Sequence, residues 1–83
     1  MPTEEEWLRF AREHLEGKRI VNVRYMTNEE VKDMGWYRKN IVLVLDDGTM
    51  LFPSSDDEGN DVGSIFGISR GGVDLTFPVL PLR

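Results

Sequence analysis

The hydrophobic pattern at the start of the chain predicts an amphipathic helix. Apolar side chains recur there at the three- and four-residue spacing of one helix face, at Trp7, Leu8, Ala11 and Leu15. Thr3 followed by Glu6 three residues later is a capping box at its start. Gly17 ends it, because glycine enters the left-handed conformation without strain. We therefore predict a helix over residues 4–16.

The next segment combines a strand with a short second helix. Residues 18–26 alternate polar side chains with Val21, Val23 and Tyr25, a pattern typical of a half-buried strand. Thr27 with Glu30 is a second capping box, and a second glycine stop follows. The helix between them, over residues 28–34, has only two turns and must pack on the rest of the fold to be stable.

Two continuous apolar segments predict a β-hairpin. Residues 41–45 and 49–52 are joined through Asp-Asp-Gly, and Asp47-Gly48 between strands is a strong hairpin signal because such turns need positive φ angles. Pro53 closes the hairpin, since proline cannot donate to a strand ladder. Two further short strands are predicted, with a Gly-Gly turn between them, at residues 65–68 and 73–77.

These elements predict an α+β fold. We expect a small antiparallel sheet of three to five strands, with the N-terminal amphipathic helix on one face and a short second helix. Residues 41–45 present bulky apolar side chains to both faces of the sheet. A strand of a sheet with one face in solvent instead alternates apolar and polar residues. The second face must be covered by the short helix, by the proline-containing tail or by another copy. On this ground we predict a homodimer or larger oligomer.

Length and composition indicate one small domain. The chain has 83 residues, of which 40% are hydrophobic and 30% charged, a balance typical of globular domains. No apolar run approaches the roughly 18 residues of a membrane helix. The acidic N-terminus is not typical of a secretion signal. We predict a single domain over residues 1–83, located in the cytoplasm and without membrane contact.

Missing residue types exclude several chemistries. The absence of cysteine excludes disulfides, zinc–thiolate sites and thiol catalysis. The single histidine, His14, excludes a His-rich metal cluster and disfavours a Ser-His-Asp triad. His14 lies on the border of the helical stripe, so a packing position at its edge is expected. These absences predict a non-enzymatic protein with no cofactor.

The net charge of −5 lies entirely in the second half of the chain. Residues 1–42 carry eight basic and eight acidic side chains, whereas residues 43–83 carry two and seven. A broad basic surface for a phosphate backbone is absent, which argues against direct nucleic-acid binding. Acidic clusters suit cations, basic protein surfaces or mimicry of nucleic acid, although turns favour Asp on conformational grounds alone.

The most distinctive stretch is Pro-Ser-Ser-Asp-Asp-Glu-Gly-Asn-Asp-Val-Gly at residues 53–63. The upstream Gly-Trp and Leu-Asp-Asp-Gly-Thr stand at residues 35–36 and 45–49. With these motifs, the chain resembles a family of small bacterial and phage proteins that share a Gly-Trp, this hairpin and a Ser-x-Asp-Asp-Glu-Gly-Asn loop. The resemblance covers roughly residues 20–66 and implies no activity that can be carried over.

The acidic loop, residues 54–61, admits three interpretations. Counted from Asp56, its sixth and twelfth residues are Asp61 and Gly67, where an EF-hand needs Gly and Glu, so only an irregular cation site stays open. Asp56 and Asp57 are adjacent and point apart, which does not suit acid–base catalysis. The third interpretation is recognition of a ligand, unless the side chains cap their own loop. We favour recognition, by Ser54, Ser55, Asp57 and Asn60.

Two adjacent aromatic residues beside two cations form the second candidate site. Trp36 and Tyr37 precede Arg38 and Lys39, a set that can stack a base or ribose and hold its phosphate. Because tryptophan is highly buried on average, we expect Trp36 to fill the core. Tyr37 and Arg38 are then the ligand-binding candidates.

Two functions fit these residues. The first is a non-enzymatic module that sequesters a small polar or nucleotide-like ligand at a subunit interface, as a phage-type sponge for a signal, through Tyr37, Arg38, Arg70 and the loop of residues 54–60. The second is an acidic protein-interaction or inhibitor module that docks on a basic or nucleic-acid-binding surface. In an alternative to ligand binding, Arg24 or Arg70 forms an ion pair with the acidic loop. No catalytic or metal-binding residue is predicted.

Overall fold

The structure, a computed structural model, describes residues 2–54 and 63–81. These residues form two helices and five strands: α1 (Glu4–Leu15), β1 (Ile20–Tyr25), α2 (Asn28–Met34), β2 (Ile41–Leu45), β3 (Met50–Pro53), β4 (Ile65–Ile68) and β5 (Asp74–Phe77). The strands make one sheet in the order β1-β2-β3-β4-β5, and every neighbouring pair is antiparallel. The predicted α+β fold is confirmed. Neither helix in the described residues has the length and apolar character needed to cross a bilayer.

The helix ends follow the capping residues in the sequence. The Thr3 hydroxyl accepts the N–H of Glu6 at 3.2 Å, and α1 ends at Leu15. Thr27 and Glu30 form a complete, reciprocal capping box at α2, and Gly35 ends that helix in the left-handed conformation at φ +74°. Because these caps satisfy unpaired backbone groups, a helix of only seven residues forms where it packs on the sheet.

The β2–β3 hairpin turns through a three-residue loop. The Gly48 N–H donates to the Leu45 carbonyl at 3.0 Å, and the Leu45 N–H donates to the Thr49 carbonyl at 2.8 Å. Gly48 has φ +91°, whereas no non-glycine residue among those described has positive φ. The loop is therefore a turn followed by a glycine bulge, and only one residue of the predicted Asp47-Gly48 pair is left-handed.

One sheet face, which we call the α2 face, is covered by the short helix. Met26, Val42 and Phe52 are buried there, and Val31 and Trp36 pack against them. The apolar strand β2 therefore has its second face covered within the chain. The ground on which the sequence predicted a homodimer is removed, because the short helix covers that face.

The opposite face, the α1 face, is crossed by the long helix. The rings of Phe10 and His14 lie 5.5 Å and 6.3 Å from the ring of Phe77 in β5. Just beyond α1, the Lys18 ammonium donates to the Asp47 carboxylate in the β2–β3 loop. This bond holds the pKa of Asp47 well below its ordinary value, with a further contribution from a backbone N–H. His14 is an edge residue of the packing, as the sequence predicts.

Strand β1 departs from its predicted placement. Its alternation predicts that Val21, Val23 and Tyr25 face the core, yet the three side chains are 57%, 53% and 64% exposed. Arg24 is less exposed, because it shares the α2 face with Val42, its partner in β2. The predicted alternation therefore holds over residues 22–25, although a β-bulge interrupts it between Ile20 and Asn22. The predicted covering is wrong, because α1 contacts Phe77 in β5, at the opposite edge of the same face, and leaves the side chains of β1 exposed.

Candidate functional site

The predicted aromatic pair is divided between core and surface. The Trp36 ring packs edge-on to Phe52 with ring centres 6.1 Å apart, which confirms its core position. The next side chain, Tyr37, is 99% exposed. Arg38 and Lys39 follow it and are exposed as well. One aromatic ring and two cations therefore stand together on the surface, in the connection between α2 and β2.

This connection, residues 36–40, is the Tyr37 segment, and it is anchored at both ends. At its start the Trp36 N–H donates to the Val31 carbonyl at 3.1 Å. At its end the Asn40 side-chain amide donates to the Pro53 carbonyl at 2.7 Å, and the Asn40 side-chain oxygen accepts the Ile41 N–H at 3.0 Å. The fold thus fixes the backbone on either side of an exposed tyrosine.

Ser54 lies at the same end of the sheet as the Tyr37 segment. It follows Pro53, the residue whose carbonyl binds Asn40. Its own N–H donates to the Ser64 carbonyl at 3.1 Å, which closes the base of the connection between β3 and β4. The other predicted loop residues, Ser55, Asp57 and Asn60, lie outside the described residues.

Arg70 lies at the opposite end of the sheet. It follows β4, whereas Ser54 precedes it, so the length of that strand, about 10 Å or more, separates the two residues. The Arg70 side chain packs over the β2–β3 loop, where a Cβ added to Gly48 would stand 3.2 Å from the Arg70 Cγ. Within one chain, Arg70 and the Tyr37 segment do not share a site.

A second polar cluster joins β1 to α2. The two terminal nitrogens of Arg24 donate to the two carboxylate oxygens of Glu30 at 2.8 Å and 3.0 Å. The same carboxylate accepts the N–H of Thr27 at 2.8 Å. These hydrogen bonds, chiefly those from Arg24, lower the pKa of Glu30 from 4.5 to about 2. The pair fixes α2 against the sheet.

The Arg24–Glu30 pair predicts a specific pH dependence. Because the pKa of Glu30 is depressed in the folded state, its contribution is present above the ordinary pKa of the carboxyl and is lost as pH falls toward 2. Glu30→Gln keeps a side chain that caps the helix but loses the ion pair. We expect the free energy of unfolding to fall by about 1 kcal/mol at neutral pH, as for partly exposed pairs.

Urea unfolding at neutral pH and near pH 2.5 measures this effect. The difference between Glu30→Gln and the parent protein should shrink at the lower pH. Glu29→Gln is the matched control, because Glu29 is also acidic and in the first turn of α2 but does not belong to the pair. Equal losses in the two variants would contradict a role for Arg24.

A small apolar cavity lies between α2 and the sheet, and the sequence analysis missed it. Its volume is about 100 Å³, and its lining includes three of the four methionines of the chain. Ligand pockets usually measure about 300–1,000 Å³, so a nucleotide does not fit. We assign the cavity to packing, which flexible methionine side chains adjust. The residues that line it are Met26, Glu30, Met34, Val42, Met50, Phe52 and Ile68.

No protein-family model, no curated protein and no solved structure matches the chain.

Proposed function

We propose that the protein is a non-enzymatic binding module that sequesters a small anionic ligand with a planar group, of the nucleotide type. The observation that supports this proposal is the placement of Tyr37, which is 99% exposed although the residue before it packs in the core. An aromatic ring left wholly in water makes no contribution to folding by burial. A role in contact with a partner explains its position.

The neighbouring cations supply the second half of the recognition. Arg38 and Lys39 are exposed beside Tyr37, and in residues 2–54 and 63–81 neither forms an ion pair. A guanidinium binds phosphate oxygens through paired, charge-assisted hydrogen bonds. A base or ribose stacked on the tyrosine would bring its phosphate within reach of these groups. The chemistry that fits is therefore a phosphorylated, planar molecule.

Anchoring of the Tyr37 segment favours binding, because less backbone freedom is lost when a ligand arrives. The hydrogen bonds of Trp36 and Asn40 hold the backbone on either side. Ser54 lies at the same end of the sheet and adds a hydroxyl group that can donate or accept.

Native mass spectrometry of the freshly purified protein tests the proposal first. A ligand that is carried through purification would appear as added mass. Calorimetric titration with ribonucleoside monophosphates and cyclic dinucleotides then measures affinity. We expect at least one of them to bind with a dissociation constant below millimolar. If none binds and no added mass is found, the proposal is wrong.

Variants of the Tyr37 segment give the specific prediction. Tyr37→Ala should weaken binding at least tenfold, because stacking of a base on an aromatic ring contributes about 1–3 kcal/mol. Tyr37→Phe keeps the ring and should keep most of the affinity. Arg38→Ala should also lose about tenfold, as expected for a charged hydrogen bond. Arg9→Ala, an exposed arginine of α1, is the control and should bind normally.

The salt dependence of binding distinguishes this proposal from the second function, in which the acidic half of the chain docks on a basic surface. Binding of one phosphorylated ligand at the exposed Arg38 and Lys39 should weaken moderately as ionic strength rises, because only a few charges are paired and stacking on Tyr37 does not depend on salt. Docking of the acidic half on a basic protein should weaken steeply, since exposed charges are screened within about 10 Å at 0.1 M salt. Binding of nucleotides that is unaffected by Tyr37→Ala would also contradict the proposed site.

A further inference from the structure

Strand β1 is an edge strand with an apolar surface. Among the described residues it pairs with β2 alone. Its apolar side chains are each more than half exposed, at 56% for Ile20, 57% for Val21, 53% for Val23 and 64% for Tyr25. Edge strands are normally protected from association by prolines, charged side chains, β-bulges or short length. β1 has no proline, and its one charged side chain, Arg24, is held by Glu30. A β-bulge interrupts its ladder between Ile20 and Asn22, so the regular part of the edge is residues 22–25.

The unpaired backbone groups of this edge can be assigned from the ladder. The Met26 N–H donates to the Asn40 carbonyl at 2.9 Å, one step beyond the Tyr25–Ile41 pair. Hydrogen-bonded and non-hydrogen-bonded pairs alternate in antiparallel sheets. Val23 and Tyr25 therefore direct their N–H and C=O groups away from β2. The Tyr25 carbonyl accepts the guanidinium of Arg24 at 3.1 Å, a bond that a partner strand would replace.

We infer that β1 pairs antiparallel with β1 of a second copy of this chain, so that two five-stranded sheets become one. Val23 then lies opposite its own counterpart on the two-fold axis and exchanges both of its free backbone hydrogen bonds with it. The exposed apolar side chains of the two strands form one continuous surface along the α1 face. This interface differs from the one that the sequence suggested, which relied on the two apolar faces of β2.

The charges on β1 select this register. With Val23 on the axis, the neighbouring cross-strand pairs are Arg24 opposite Asn22, a cation beside an amide oxygen that can accept from it. A shift of one residue along each strand would place Arg24 opposite its own counterpart, where the two guanidinium groups repel each other even though each is paired with its own Glu30. The opposite shift would place Tyr25 opposite Arg19, beyond the end of the strand at Ile20. The sequence of β1 therefore complements itself in one register.

The other free edge of the sheet does not offer the same fit. β5 carries Asp74 and Thr76 as exposed side chains, and Pro78 follows its last residue. Pairing of β1 with β5 of another copy would also be head-to-tail, which generates rings or open filaments. Pairing of β1 with itself closes after two copies. A second copy on β1 thus pairs the free backbone groups of the edge and brings the apolar side chains into contact with their cross-strand neighbours.

Sedimentation equilibrium from low micromolar to several hundred micromolar protein tests the inference. We expect twice the chain mass of 9.6 kDa. Val23→Lys would place two lysines opposite each other on the axis and should raise the dimer dissociation constant at least tenfold. Because the Val23 side chain is 53% exposed, Val23→Lys should not unfold the subunit. Its melting temperature should be close to that of the parent protein at concentrations where the parent is monomeric. Val73→Lys, at a side chain that is 62% exposed beside β5, should remain dimeric.

Cysteine crosslinking tests the register, since the chain has no cysteine of its own. Paired residues on the axis have Cα atoms about 5.5 Å apart, within the range of a disulfide. Val23→Cys should therefore crosslink under mild oxidation. Tyr25→Cys should not, because the two copies of that position lie about 13 Å apart in this register. A crosslink at position 25 without one at position 23 would overturn the register.

Two further results would overturn the interface itself. One is a monomer mass throughout the concentration range, and the other is a dimer that survives Val23→Lys unchanged. The inference does not rest on the proposed ligand, because Tyr37 belongs to a different segment. Tyr37→Ala should stay dimeric. Titration of the monomeric Val23→Lys variant with the same nucleotides then measures whether ligand binding requires the dimer.

Discussion

Replacing Phe52 with alanine is expected to lower the free energy of unfolding by about 3–4 kcal/mol, as for other buried aromatic side chains. Phe52 is 7% exposed. Its ring meets those of Trp36 and Phe66 edge-on, with ring centres 6.1 Å and 6.0 Å away. Truncation removes the side chain on which the segment after α2 and the strand β4 both pack. Urea unfolding monitored by tryptophan fluorescence measures the loss.

That loss is large for a chain of this size. Native domains are stable by about 0.05–0.15 kcal/mol per residue, so Phe52→Ala removes a major part of the total. Phe52→Leu keeps most of the volume and should lose about 1–1.5 kcal/mol, which keeps the test available if the alanine variant does not fold. Val73→Ala, at an exposed position, should stay within about 0.5 kcal/mol of the parent. A similar small change for Phe52→Ala would show that these rings do not form the core.

Gly48→Val is expected to lower the free energy of unfolding by about 2–3 kcal/mol, through two separate effects. A β-branched residue is strained at the positive φ of +91°, a conformation that costs about 1–3 kcal/mol. The added Cβ would also stand 3.2 Å and 3.3 Å from the Cγ and Cβ of Arg70. The Arg70 Cβ is fixed by its backbone, so the clash with that atom is relieved only by a small shift of the loop. A fall of about 10–20 °C in melting temperature corresponds to this loss.

Two other glycines separate these effects. Gly72 has φ +85° with nothing within 4 Å of an added Cβ, so Gly72→Val measures backbone strain alone. Gly71 has ordinary φ and open space, and Gly71→Val should change stability by less than about 1 kcal/mol. The expected order of loss is Gly48, then Gly72, then Gly71. Equal losses at Gly48 and Gly72 would show that Arg70 yields without cost.

Local chemistry is the part of the fold that the sequence predicts well. The caps at Thr27 and Gly35 and the hairpin at Gly48 depend on a few adjacent residues, and the structure has each of them in place. β2 and β4 have the predicted bounds, and the other strands differ by one or two residues at their ends. These features need only local conformational preferences. The core position of Trp36 follows as reliably from the average burial of tryptophan.

Features that depend on how the helices pack on the sheet cannot be predicted from local conformational preferences. Alternation gives the period of β1 but does not say which side a helix covers, so the exposure of Val23 and Tyr25 was not foreseen. The Arg24–Glu30 pair likewise depends on how α2 returns over the sheet. The separation of Arg70 from Ser54 is different, because a strand was predicted between them. Two residues at either end of one strand cannot meet, and this signal was present in the sequence.

The attachment of α1 has a consequence for the dynamics of the molecule. No residue of α1 is fully buried, and its contacts with the sheet include the Phe10 and His14 rings on Phe77, while Lys18, just beyond the helix, bonds to Asp47. Elements held by few buried contacts open locally at a free energy below that of global unfolding. We therefore expect the backbone amides of α1 to exchange their hydrogens faster than those of β2, where Val42 and Leu45 are buried. Equal protection in α1 and β2 would show that the helix opens only when the whole molecule unfolds.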